Sequence, residues 1–80
     1  MDYEKWLFEA ISKTGTLLPN TVFVLKDLFD GVKWNTLSPG ERREFGRQFK
    51  YKVTRGLIPN VEYIGKAQNN SSQYIKRGEQ

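Results

Sequence analysis

Apolar side chains recur along this chain with two different periods, and each change of period marks an element. Between Asp2 and Lys13 they fall at Tyr3, Leu7, Ala10 and Ile11, with Trp6 beside them. Glu4, Lys5 and Glu9 lie between, the spacing of a helix with one buried face. Asp2 stands where an N-cap acceptor is needed, Gly15 ends the segment, and Pro19-Asn20 turns the chain. Thr21 to Leu25 is β-branched and aromatic, which predicts a short strand. Lys26 to Asp30 predicts a single helical turn closed by Gly31, and Val32 to Leu37 a connector that docks Trp34 on the core.

Ser38-Pro39-Gly40-Glu41 is the strongest local signal. Ser38 can cap the amide of Glu41 while Glu41 reaches back to the Ser38 amide, and Pro39 occupies the first helical position, where its missing N–H costs nothing. The helix should run to Arg55, with Gly56 leaving it. On a wheel of about 100° per residue, Phe45, Phe49 and Val53 form an apolar stripe. Gly46 joins them as a place where a neighbour can approach.

Val61 to Ala67 and Ser72 to Arg77 then read as two strands around Gln68-Asn69-Asn70-Ser71. With Asn69-Asn70 as the turn, Ile64 faces Ile75, Gly65 faces Tyr74 and Lys66 faces Gln73; Asn70-Ser71 would also turn. Residues 78–80 should fray. The order is helix, short strand, short helix, long helix, β-hairpin. It predicts an α+β fold, a winged helix-turn-helix with the hairpin as wing, forming a single domain over residues 1–80.

Composition narrows the function. In an 80-residue chain with 38 % apolar residues and 14 % aromatics, large rings must supply much of the core. Trp6, Phe8, Phe23, Phe29, Trp34, Phe45 and Phe49 are the candidates. There is no cysteine and no histidine, which removes disulfides, thiolate and imidazole metal sites, and Cys–His or Ser–His–Asp catalysis. The acidic pairs Asp27/Asp30 and Glu41/Glu44 are better explained as caps and helix-surface charges than as a metal site. No glycine-rich phosphate loop appears. The expectation is therefore a protein that is not an enzyme, with no cofactor and no small-molecule substrate. No apolar run approaches the roughly 20 residues of a membrane span, and acids stand near the N-terminus where a signal peptide needs cations. The expectation is a cytoplasmic protein that does not use a membrane.

Charge is unevenly spread. Residues 1–30 hold three Lys/Arg against five Asp/Glu, and residues 31–80 hold ten against four. A basic C-terminal part fits a polyanion partner. On the long helix, Arg43, Arg47, Lys50 and Thr54 cluster away from the apolar stripe, with Tyr51 at the edge of the cluster. Such a strip can neutralise successive phosphates, and Tyr51 can stack an unpaired base. Glu44 offers Arg47 an i,i+3 partner. The hairpin adds Lys66, Asn69, Asn70, Ser71, Lys76 and Arg77 as candidate contacts. Its two Asn are also good turn residues, and Tyr63 and Tyr74 are either stacking platforms or half-buried strand tyrosines.

The segments Val24-Leu25-Lys26-Asp27-Leu28-Phe29, Leu37-Ser38, Gly40-Glu41-Arg42-Arg43, Gly46-Arg47, Ile58-Pro59-Asn60-Val61 and Tyr63-Ile64-Gly65-Lys66, with Gly31, Trp34, Phe49 and Gly56, carry a resemblance. Over roughly residues 21–77 the chain resembles a small uncharacterised-domain family of Gram-positive mobile elements. That family includes the single-stranded-DNA-binding protein of staphylococcal cassette chromosome elements. The resemblance implies a winged helix that binds single-stranded DNA with little sequence preference, beside a helicase or polymerase of the same element. The competing readings are a duplex-DNA-binding winged-helix transcriptional regulator, with the long helix in the major groove, and an adaptor docking through Leu17-Leu18 or the acidic first helix.

Overall fold

Phe45 and Phe49 stand one turn apart on the longest helix, both fully buried, and the other elements are arranged around these two rings. The computed structural model describes residues 1–78; Glu79 and Gln80, the end of the tail expected to fray, lie outside the described residues. In chain order the elements are α1 (Tyr3–Thr14), β1 (Val22–Val24), a 3-10 turn (Leu25–Leu28), α2 (Gly31–Trp34), α3 (Pro39–Thr54), β2 (Val61–Lys66) and β3 (Ser72–Lys76). The α+β expectation is met: among the described residues three helices pack with one three-stranded antiparallel sheet, ordered β1-β3-β2. Among the described residues no helix is long and apolar enough to cross a membrane.

The long helix forms where its caps say it should. Ser38 Oγ accepts from the Glu41 N–H at 3.2 Å, and Glu41 Oε1 accepts from the Ser38 N–H at 2.9 Å. Both amides would otherwise lack partners at the helix start. At the other end Gly56 takes φ +73°, the left-handed value that lets the chain leave the helix. The three aspartates cap as expected. Asp2 accepts from the Lys5 N–H, Asp27 from Val24 and Asp30 from Lys33.

Two aromatic groups meet on α3. Phe45 sits among Trp6, Phe29 and Trp34, with ring centroids 5.7 to 6.2 Å away, which ties α1 and α2 to α3. Phe49 meets Tyr74, which in turn touches Phe23 and Tyr63, and this ties the sheet to α3. With Val53 also buried, the stripe fixes which way α3 is turned, so Arg43, Arg47 and Thr54 must face water.

Several expectations are corrected. Phe8 is not core but 75 % exposed, because Leu7, Ala10 and Thr14 set the buried face of α1 and Phe8 lies off it. Gly31 does not close a helical turn; it opens α2, with Asp30 as N-cap. The hairpin register also differs from the one read off the sequence. The loop has three residues, Gln68 to Asn70, with Asn70 at φ +66° and its N–H donating to Ala67 O. Lys66 therefore faces Ser72 and Gly65 faces Gln73. A bulge at Ile64, relieved by Gly65 at φ +112°, then brings Tyr63 opposite Tyr74. The tyrosine that was to cover a glycine pairs with another ring instead.

Candidate nucleic-acid interface

The outward flank of α3 and the tip of the hairpin enclose a groove of about 700 Å³. Lys26, Arg42, Arg43, Arg47, Lys50 and Lys66 line it, and among the described residues no aspartate or glutamate does. Trp34 stands on one wall, Asn70, Ser71 and Ser72 on the other, and Tyr74 and Gly46 form part of the floor. Six cations around one concavity with no acid raise the local potential well above that of a mixed surface.

The cations are held in several ways. Arg43 and Lys66 are exposed and make no ion pair among the described residues. The Lys50 ammonium lies 4.3 Å from the Tyr63 ring centroid, which steadies it against β2 without cancelling its charge. The Arg42 guanidinium lies over Trp34 at 5.9 Å, and its buried Nε–H has no acceptor among the described residues. Of the groove cations, Arg47 alone is committed to a carboxylate among the described residues. Its Nε and Nη2 donate to the two oxygens of Glu44 at 2.9 and 2.6 Å. Those hydrogen bonds, with one from Gln48, pull the Glu44 carboxyl down to about 2. Burial pushes the Tyr74 phenol up to about 12, so it stays neutral under the cations.

The residues singled out in the sequence divide accordingly. Arg43, Arg47, Lys50, Lys66 and Asn70 come together around the groove. Asn69 sits at the hairpin tip with Lys66 and Gln73, where its Oδ1 accepts from the Ser71 N–H, so it serves the turn. Tyr51 is half exposed and lies with Arg47, Gln48 and Lys52 in a separate shallow recess, the Arg55 guanidinium 4.9 Å from its ring. The Thr54 hydroxyl donates back to Tyr51 O at 3.1 Å.

Lys76 and Arg77 do not join this site. Lys76 donates to Thr14 O at 2.8 Å, fastening the hairpin base to the end of α1, and Arg77 pairs with Glu62 across the strands. Both lie at the end of the hairpin away from its tip, because β3 runs from Ser72 at the tip to Lys76 at the base. Sequence reading missed Lys26 and Arg42. Lys26 follows β1, whose pairing with β3 sets Val24 opposite Gln73 beside the tip, and no local pattern announces that pairing. Arg42 was legible as the residue one turn before Gly46. The glycine itself meets no packing neighbour among the described residues: none lies within 4 Å of where its Cβ would stand, and it opens onto the groove.

The chain matches the family described as Domain of unknown function (DUF1413) over residues 8–76. It belongs to that family. No curated protein matches it. Among solved structures, this DUF1413 domain is similar to the SCCmec type IV LP1413 nucleic acids binding protein. The two are 25 % identical with a TM-score of 0.71, over 95 % of this chain and 87 % of that one. The family resemblance drawn from the sequence is thus confirmed.

Proposed function

We propose that this DUF1413 domain is a non-catalytic winged-helix protein that binds single-stranded DNA with little regard to sequence. The observation that carries this reading is the groove lined by six Lys and Arg side chains and, among the described residues, by no acid. Cations spread over both walls can follow one phosphate backbone and release its counterions, which gives affinity without reading base edges. The similar SCCmec type IV protein is a nucleic acids binding protein, which supports a nucleic acid as the polyanion. In this reading α3 is the recognition helix and the β2–β3 hairpin the wing. The protein acts in the cytoplasm as an accessory to replication of a mobile element, beside that element's helicase or polymerase.

A binding titration tests it. A labelled single strand of about 25 bases, a scrambled one and the matching duplex are compared at two salt concentrations. The proposal expects both single strands to bind alike, more tightly than duplex, with affinity falling steeply as salt rises. A sequence-dependent preference for duplex would favour the regulator instead, and no binding to any of the three would remove the groove as a polyanion site.

A further inference from the structure

Gly46 stands in the middle of α3, between Arg42 and Arg43 on one turn and Lys50 on the next. A glycine there weakens a helix relative to alanine, because it has more backbone freedom to lose. In helix interiors that cost is usually offset by packing, where another element comes too close for a Cβ. Here none of the described residues does: a Cβ on Gly46 would find open space within 4 Å, and the residue lines the groove. Its backbone lies in the ordinary helical region, since it is absent from the glycines with positive φ. Neither packing nor conformation calls for a glycine at this position.

We infer that Gly46 is the contact floor of the groove, left bare so that the sugar–phosphate chain of a polynucleotide can lie directly against the α3 backbone. Lying that close brings the phosphates within reach of cations from both walls at once, Arg42 and Arg43 on the helix and Lys66 on the hairpin. A methyl group at this point would hold the strand away from all of them while removing no charge. This inference rests on the nucleic-acid reading above and assigns the step at which the strand seats.

The test pairs stability with affinity, because the inference gives them opposite signs. Gly46→Ala should raise Tm by about 4 °C, the response of a small domain to a better helix former, with Tm read by circular dichroism. The same variant should weaken binding of a thymidine oligonucleotide about threefold, and Gly46→Leu about tenfold or more, in fluorescence anisotropy. The slope of affinity against salt should stay unchanged, since no cation is lost. Arg43→Glu runs alongside. If it loses binding while both Gly46 variants bind like the parent, the groove stands and the inference about Gly46 is wrong. If none of the three changes affinity, the strand binds elsewhere and the groove falls as its site, the inference with it. If the parent binds no oligonucleotide at all, the nucleic-acid reading itself falls. Should Gly46→Leu not fold, the alanine variant decides alone.

Discussion

The ring of Phe49 meets that of Tyr74 edge-on, centroids 5.0 Å apart and planes at 88°. Phe49 belongs to α3 and Tyr74 to β3, so this one contact sets the two walls of the basic groove against each other. Both side chains are essentially without exposed surface, at 0 % and 1 %. Phe49→Ala should therefore cost about 3–5 kcal/mol, a large share of a small domain's stability, through lost burial and the cavity left behind. Urea denaturation followed by circular dichroism measures it. A cost under about 1 kcal/mol would mean that the hairpin is held to α3 by something else.

The capping box makes a separate prediction. Ser38 Oγ accepts one amide at the start of α3 and faces away from the core. Ser38→Ala should destabilise by about 1 kcal/mol, which lowers Tm by about 4–8 °C in a domain of this size. Affinity for a single strand, measured well below Tm, should not change. A loss of affinity without a loss of stability would place Ser38 in the interface.

Lys76 and Arg43 should behave in opposite ways, though both are basic residues of the C-terminal part. Lys76→Ala removes the bond to Thr14 O and should cost about 1 kcal/mol of stability while leaving the salt dependence of binding intact. Arg43→Ala should leave Tm within a degree or two but reduce the salt slope by about 0.7, one phosphate contact on a single strand. Measuring Tm and affinity at several salt concentrations separates the two. An unchanged slope for Arg43→Ala would take that residue out of the interface.

How far the sequence speaks follows from the range of the interactions. The capping box of α3, its apolar stripe and its glycine exit depend on residues a turn or two apart, and all three are legible in the chain. The exposed face of Arg43 and Arg47 follows, because burying Phe45 and Phe49 leaves the helix no other orientation. What was not legible depends on long-range pairing. The Ile64 bulge slides the hairpin by one residue, β1 joins β3 across about fifty residues of chain, and only then does Lys26 reach the groove. The same long-range geometry takes Lys76 and Arg77 out of it. Phe8 misled as a large apolar residue counted by type, whereas its position on α1 already set it off the buried face.

Glu44 gives the groove an acid-sensitive edge. Its carboxyl is drawn from the ordinary 4.5 down to about 2 in the folded protein, chiefly by the Arg47 hydrogen bonds. A depressed folded value means that the pair's contribution is complete above about pH 4.5 and is lost as pH falls through about 2. Melting curves from pH 5 to 2 should therefore show a shallower fall for Glu44→Gln than for the parent. At neutral pH the same variant should bind a single strand about twofold tighter at low salt, since it removes a negative charge next to the cations. Parallel melting profiles would mean that Arg47 is not held by Glu44 in solution.

The most direct test of the groove is to see where a strand lands. A thymidine oligonucleotide titrated into nitrogen-15-labelled protein should move the amide signals of Arg42 to Lys50, of Lys66 and of Asn70 to Ser72. Those of Phe8, Leu18 and Leu57, exposed but outside the groove, should stay in place. Shifts gathered on the exposed face of α1 or at the hairpin base near Lys76, with the α3 flank silent, would contradict the account.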